Sequence, residues 1–402
     1  MAITKIEVPE LFDFGSDNSA FKLPTGTTAE RPTSPSNGEM RFNTTTGFVE
    51  YYDTTKAQWW EIDYEGVVPS DNFNSVLYTG NSSTQAITNV GFAPDFVWIK
   101  RRNSAEDHAL YDSVRGTNEQ LSSNTSSVQA TNSSPYLGLT SFDSDGFTSG
   151  NNGGTNRSPN TYVAWSWKAG GTAVSNTDGT VTSQVSANVS AGFSIITSTS
   201  PAGAYTWGHG LSKAPELWIH KATNYTFGWE TMYPDTFGQA AGSNNPSDWN
   251  RIFLNTSAAT TTNTFYSATD TVLSNAGWGQ VNNFVTYAWH SVAGYSKIGT
   301  YTGNGSSTGT IVDTGFTPRF VMIKATTNDN GGGNWLIYDS ARSPSNPRNK
   351  RLYPDLNIAE TTSSSYDLDF LTGATKGFQP KNGADYYGYN TLNVVYIYMA
   401  FA

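Results

Sequence analysis

The chain has 402 residues, a net charge of −10 and a pI near 4.9, so it lacks the basic field that nucleic-acid binding needs. It contains no cysteine, which removes disulfides, thiolate catalysis and thiolate metal sites together. No apolar run approaches the roughly 20 residues that cross a bilayer, and the opening MAITKIEVPELFDFG lacks a basic region followed by an apolar core. The expectation is a product of the cytoplasm, with no signal peptide, membrane insertion or nucleic-acid partner.

Charged residues make up only 14% of the chain while Trp, Tyr and Phe make up another 14%, and sustained 3.6-residue periodicity is hard to find. Short strands joined by polar turns, with large rings filling thin cores, fit that balance. Residues 1–30 carry scattered apolar anchors, Phe12 and Phe14 among them, and read as an extended arm that docks on a partner. Residues 31–65 read as a small antiparallel meander turning at Asn43 to Gly47, with Met40 and Phe42 before the turn and Tyr51, Tyr52, Trp59 and Trp60 after it. About 30 residues in three strands are marginal alone, so these rings, with Phe12 and Phe14, are expected to make an oligomerising and attaching collar.

The remainder repeats itself. Tyr78 to Lys100 reads YTGNSSTQAITNVGFAPDFVWIK and Tyr301 to Lys324 reads YTGNGSSTGTIVDTGFTPRFVMIK, with a weaker copy at Ala214 to Lys221. Each copy is followed by a Tyr-Asp-Ser-x-Arg-like segment (Tyr111 to Arg115, Tyr338 to Arg342, more loosely Trp229 to Asp235). Each closes on an aromatic strand, at Tyr162 to Trp167, Thr286 to His290 and Val395 to Phe401. Boundaries at 70–171, 180–292 and 293–402 follow, the second unit being divergent and Lys168 to Gly179 serving as a linker. Phe96 to Ile99 and Phe320 to Ile323 are apolar at adjacent positions, as in strands covered on both faces by a sandwich partner or a neighbouring subunit. The fold expected is all-β: arm, meander collar, then three tandem β-sandwich repeats of jelly-roll or lectin-like topology.

Arg31, Pro32, Pro35, Gly38, Arg41, Phe42, Asn43, Gly47, Glu50, Tyr52 and Trp59 spell an element that resembles one recurring near the N-termini of tail-fibre and other virion appendage proteins of tailed bacteriophages. The repeat, with YTGNGSSTGTIVDTGFTPRFVMIK, WLIYDSAR and YIYMAFA, is similar to a domain at the C-terminal end of virion proteins of marine phages. The resemblance implies a virion structural protein, homotrimeric as fibres are, attached by its N-terminus to other virion proteins and presenting its repeats to a host surface. It extends to no catalytic residue, and the chain departs from the family in stopping at Ala402 without the polar tail expected there, so no receptor-binding tip beyond the third repeat is expected. A head-surface decoration protein and a glycan-binding or glycan-cleaving module are the alternatives.

His108, His209, His220 and His290 show no metal-ligand spacing, and no G-x-S-x-G elbow is present, so no enzyme and no cofactor is expected. Asp143 and Asp145 in FDSDGF have the flavour of a calcium loop without its full ligand set; a polar turn at Gly146 is the favoured reading and calcium bridging between subunits the alternative. Asp367 and Asp369 would share one face of a strand, as a glycosidase pair or a solvated edge. Tyr205, Trp207, Trp229, Trp249, Asn250 and Trp278, gathered in the second repeat, are the candidates for a host-glycan site, since rings stack on sugar C–H faces while Asn bonds hydroxyls.

Overall fold

The computed structural model describes residues 23–46, 48–62, 67–237, 245–262, 265–277, 279–327, 333–362, 364–381 and 389–402. Among them strands carry the fold, and the longest helical stretch is the four-residue turn Gly153–Asn156. The chain divides into two compact units, one ending at Gly66 and the other running from Val67 to Ala402. Phe12 and Phe14 lie outside the described residues.

The first unit contains a four-stranded sheet in the order Thr25–Gly26, Met40–Asn43, Phe48–Asp53, Gln58–Ile62. Strand alternation sends Arg41, Asn43 and Glu50 to one face and Met40, Tyr51 and Trp60 to the other. The first set is buried, against the usual preference of such residues. Glu50 makes this possible by accepting from Arg31 Nη2 at 2.6 Å and Asn43 Nδ2 at 3.1 Å, with Arg41 Nε 3.3 Å away. The apolar set is left facing outward.

In the second unit, the strands that follow each Gly-x-x-Pro or Ala-Pro turn are Phe96–Arg101, Leu217–Ala222 and Phe320–Ala325, and every residue in them is buried. Each pairs with the closing strand of its own segment: Thr161–Trp167, Asn283–Trp289 and Val395–Phe401. The sheets built on these pairs have six, eight and four strands, and a separate three-stranded sheet belongs to each segment. Phe96, Trp98, Trp165 and Trp167 face one way, into a cluster shared with Phe193, Ile219, Tyr287, Trp289, Phe320, Met322 and Phe401. Val97, Ile99, Tyr162 and Ala164 face the other way, into a local cluster with Leu139 and Phe147 of the small sheet. The other two segments repeat this division, each with a local cluster of its own.

Consecutive apolar residues are therefore required: one set fills a local core and the alternate set fills a common one. Trp167 sits at the junction, its ring 5.7 Å from both Phe320 and Phe401 and 6.4 Å from Trp289. The sequence leaves two covers open, a sandwich partner or a neighbouring subunit, and here both faces are covered from within the chain.

Hydrogen bonds at matching positions close the three segments into a ring. Lys100 Nζ donates to Asn357 O at 3.2 Å, Lys324 Nζ to Ser257 O at 2.8 Å, and Lys221 Nζ to Ser126 O at 3.3 Å. Residues aligned just before the next strand do likewise: His108 Nε2 to Tyr353 O, Trp335 Nε1 to Phe253 O and Trp229 Nε1 to Ser122 O, each at 2.9 Å. Each tie is head-to-tail, and three of them close without an open end. The Asp-Ser-x-Arg motif serves two of the junctions. Asp112 holds Arg115 and accepts from Tyr287 OH at 2.7 Å, and Asp339 holds Arg342 and accepts from Trp165 Nε1 at 3.0 Å. The segment read as a linker is partly structured, since Val174–Asn176 pairs with Ser183–Asn188 at the edge of the eight-stranded sheet.

Candidate functional site

The candidate glycan platform is not on the surface. Tyr205, Trp207, Trp229 and Trp249 are all buried: Tyr205 stacks on Trp207 at 5.1 Å, Trp249 lies edge-on to Trp218 at 4.6 Å, and Trp229 is a ring tie. The physical reason is the doubly covered sheet, which consumes large rings on both faces. Asn250 is half-buried in the strand Trp249–Phe253, and Trp278 lies outside the described residues. Asp143 accepts from Ser141 and Thr148 hydroxyls at 2.7 Å, whereas Asp145 accepts from the Gly91 and Asn89 backbone at 2.6 and 3.2 Å. The two carboxylates thus serve different loops. Asp369 lies 3.6 Å from Lys381 Nζ. Among the described residues no three His, Asp or Glu side chains gather as a metal site.

The four histidines are buried. His108 accepts from Trp98 Nε1 at 2.8 Å, which fixes its other nitrogen as donor to Tyr353 O. His209 accepts from the Leu211 amide and donates to Thr269 O, both at 3.1 Å. His220 meets Thr286 Oγ1 at 2.7 Å through Nδ1 and stacks on Phe284 at 4.2 Å, and burial pushes its pKa down to about 3. It is a neutral ring.

His220 stands where its counterparts are apolar. The cross-strand pair His220 and Glu230 occupies the register of Ile99 with Ala109 and of Ile323 with Leu336. In the facing small sheet, Tyr266 occupies the register of Leu139 and Leu368. One apolar layer, kept in two segments, has become imidazole, carboxyl and phenol in the second.

Beside that layer lies a cavity of about 300 Å³ lined by Phe227, Glu230, Arg251, Phe265, Tyr266 and Gly277. Glu230 accepts from Arg251 Nη1 at 3.1 Å and from the Tyr266 hydroxyl. Burial raises its carboxyl to about 7, and Tyr266 and Arg251 only partly offset that rise. Arg251 keeps a fifth of its side chain open and lies 6.0 Å from the Phe265 ring centroid. The arrangement sets an exposed aromatic ring, Phe265, beside the partly open Arg251 guanidinium and the buried carboxyl that anchors it. Among the described lining residues, Glu230 is the one carboxylate and Arg251 the one cation. None of these side chains except His220 was singled out from sequence, yet the signal was present: His220 breaks an Ile-Lys ending shared by the other copies.

No helix among the described residues is long and apolar enough to cross a membrane. A family model described as a domain of unknown function (DUF7483) matches residues 68–402, the whole of the second unit but one residue. No curated protein matches the chain.

Proposed function

The chain belongs to the DUF7483 family over residues 68–402, and we propose that it is a non-catalytic structural subunit of a phage virion, a tail fibre or comparable appendage. On this reading its N-terminus attaches to other virion proteins, the sheet of the first unit makes a homotrimeric collar, and the sheet pairs of the second unit are three β-sandwich repeats offered to the host surface. The observation that carries the reading is the outward face of the collar sheet. Met40, Tyr51 and Trp60 are cross-strand neighbours and are 42%, 37% and 42% exposed, while the opposite face buries charge. Tyr52 and Trp59 pack on each other at 5.5 Å on the Glu50 face, so the exposed Met40, Tyr51 and Trp60 are what lacks an apolar partner. A second and third copy would supply it, and three weak contacts held together would gain avidity.

Tyr51→Lys combined with Trp60→Lys tests this directly. Light scattering of the full chain should change from a multiple of the 43.5 kDa chain to the single chain. The thermal unfolding of the second unit should stay unchanged; an oligomer that survives both substitutions sinks the collar. Antibody raised against residues 67–402 labels tails on this reading and heads if the chain is a decoration protein.

A further inference from the structure

We propose that the cavity at Glu230 and Arg251 is a binding site for a single neutral sugar residue, different from the buried tryptophans that sequence suggested. Three observations converge on it, independently of how the chain assembles.

First, only one of three equivalent layers is polar. Ile99, Ala109 and Leu139 in one segment, and Ile323, Leu336 and Leu368 in another, show that the fold needs nothing but apolar groups here. Burying a carboxyl in their place costs stability that only bonds made nearby can offset. A chain that maintains this cost in one copy, beside an open cavity, is using the groups.

Second, the chemistry is that of polyhydroxyl recognition. The Arg251 guanidinium, a fifth open, presents planar donors to the cavity, and the buried Glu230 carboxyl, which accepts from Arg251 and Tyr266, holds those two side chains in place for neighbouring hydroxyls. A carboxylate ligand would have to give up its hydration beside the buried Glu230 carboxyl, whereas neutral hydroxyls bond the Arg251 donors without that cost. Phe265, exposed at the rim, and Phe227 supply apolar faces against which the C–H side of a pyranose packs.

Third, the dimensions are right for one residue of a chain. A cavity of about 300 Å³ lies at the small end of ligand pockets, and its open mouth lets the rest of a glycan run into solvent.

The test uses the full chain and ligand-observed saturation-transfer NMR with glucose, galactose, mannose and N-acetylglucosamine, and with glucuronate as the anionic control. At least one neutral sugar should give a saturable, millimolar-range signal. Phe265→Ala, at an exposed rim position, should weaken it roughly tenfold with the unfolding temperature unchanged, and Arg251→Lys, which keeps the charge but loses the planar donors, should weaken it by a similar factor in protein shown to be folded by its near-UV circular dichroism. Three results would overturn the proposal: no saturable signal from any neutral sugar, binding of glucuronate alone, or binding that persists in both variants. Light scattering of the same variants keeps this outcome separate from the collar, because neither residue lies in the first unit.

Discussion

Glu230 is the residue whose behaviour is most specific. Its folded pKa of about 7 lies above the ordinary 4.5, so its contribution is fully present below pH 4.5 and is lost as pH rises through 7. That rise of about 2.5 units corresponds to about 3 kcal/mol at 1.36 kcal/mol per unit. Glu230→Gln should therefore gain stability relative to the parent between pH 5 and pH 8, by up to about 3 kcal/mol, in urea denaturation followed at both pH values. A parent and variant whose stability difference is the same at both would show that the carboxyl ionises normally. His220 was legible as a misfit in the aligned copies, but Glu230, Arg251 and Tyr266 were not. Their proximity arises from a register between strands and from two sheets facing each other, neither of which the order of residues along the chain displays.

Among the elements, the strands were the most readable. The unbroken apolar runs at Phe96 to Ile99 and Phe320 to Ile323 said that both faces are covered, and they are. What covers the inner face could not be read from them, because a run of buried residues is the same whether its neighbour is another subunit or another part of the chain. The buried tryptophans of the second segment show the same limit from the other side. Ring-rich loops and ring-rich cores have one composition, and only the small sheet, pairing Trp207 with Leu273 at its centre, decides between them. The three lysines ending these strands were visible as a motif, yet their work as ties between segments depends on carbonyls far away in sequence, at Ser126, Ser257 and Asn357. Trp167 joins all three large sheets, so Trp167→Ala should cost about 3–5 kcal/mol in denaturant unfolding. A loss below about 1 kcal/mol would mean that the common core is not shared as described.

At the scale of the molecule, sharing a core makes the second unit one cooperative body. A fragment of residues 180–292 alone would expose Phe193, Ile195, Leu217, Ile219, Tyr287 and Trp289 to water, so it should aggregate or bind hydrophobic dye, whereas residues 67–402 should unfold in one transition. An isolated fragment with a sharp transition and no dye binding would show that the segments fold separately. Three similar segments are closed head-to-tail within the one chain of the second unit. On the proposed reading, further association falls to the first unit.

The most direct measurement is sedimentation equilibrium of the full chain beside residues 67–402. A homotrimeric collar gives three times the 43.5 kDa chain mass for the full chain and a single copy for the truncated one. A full chain that sediments as a monomer, or a truncated one that remains trimeric, would contradict the collar.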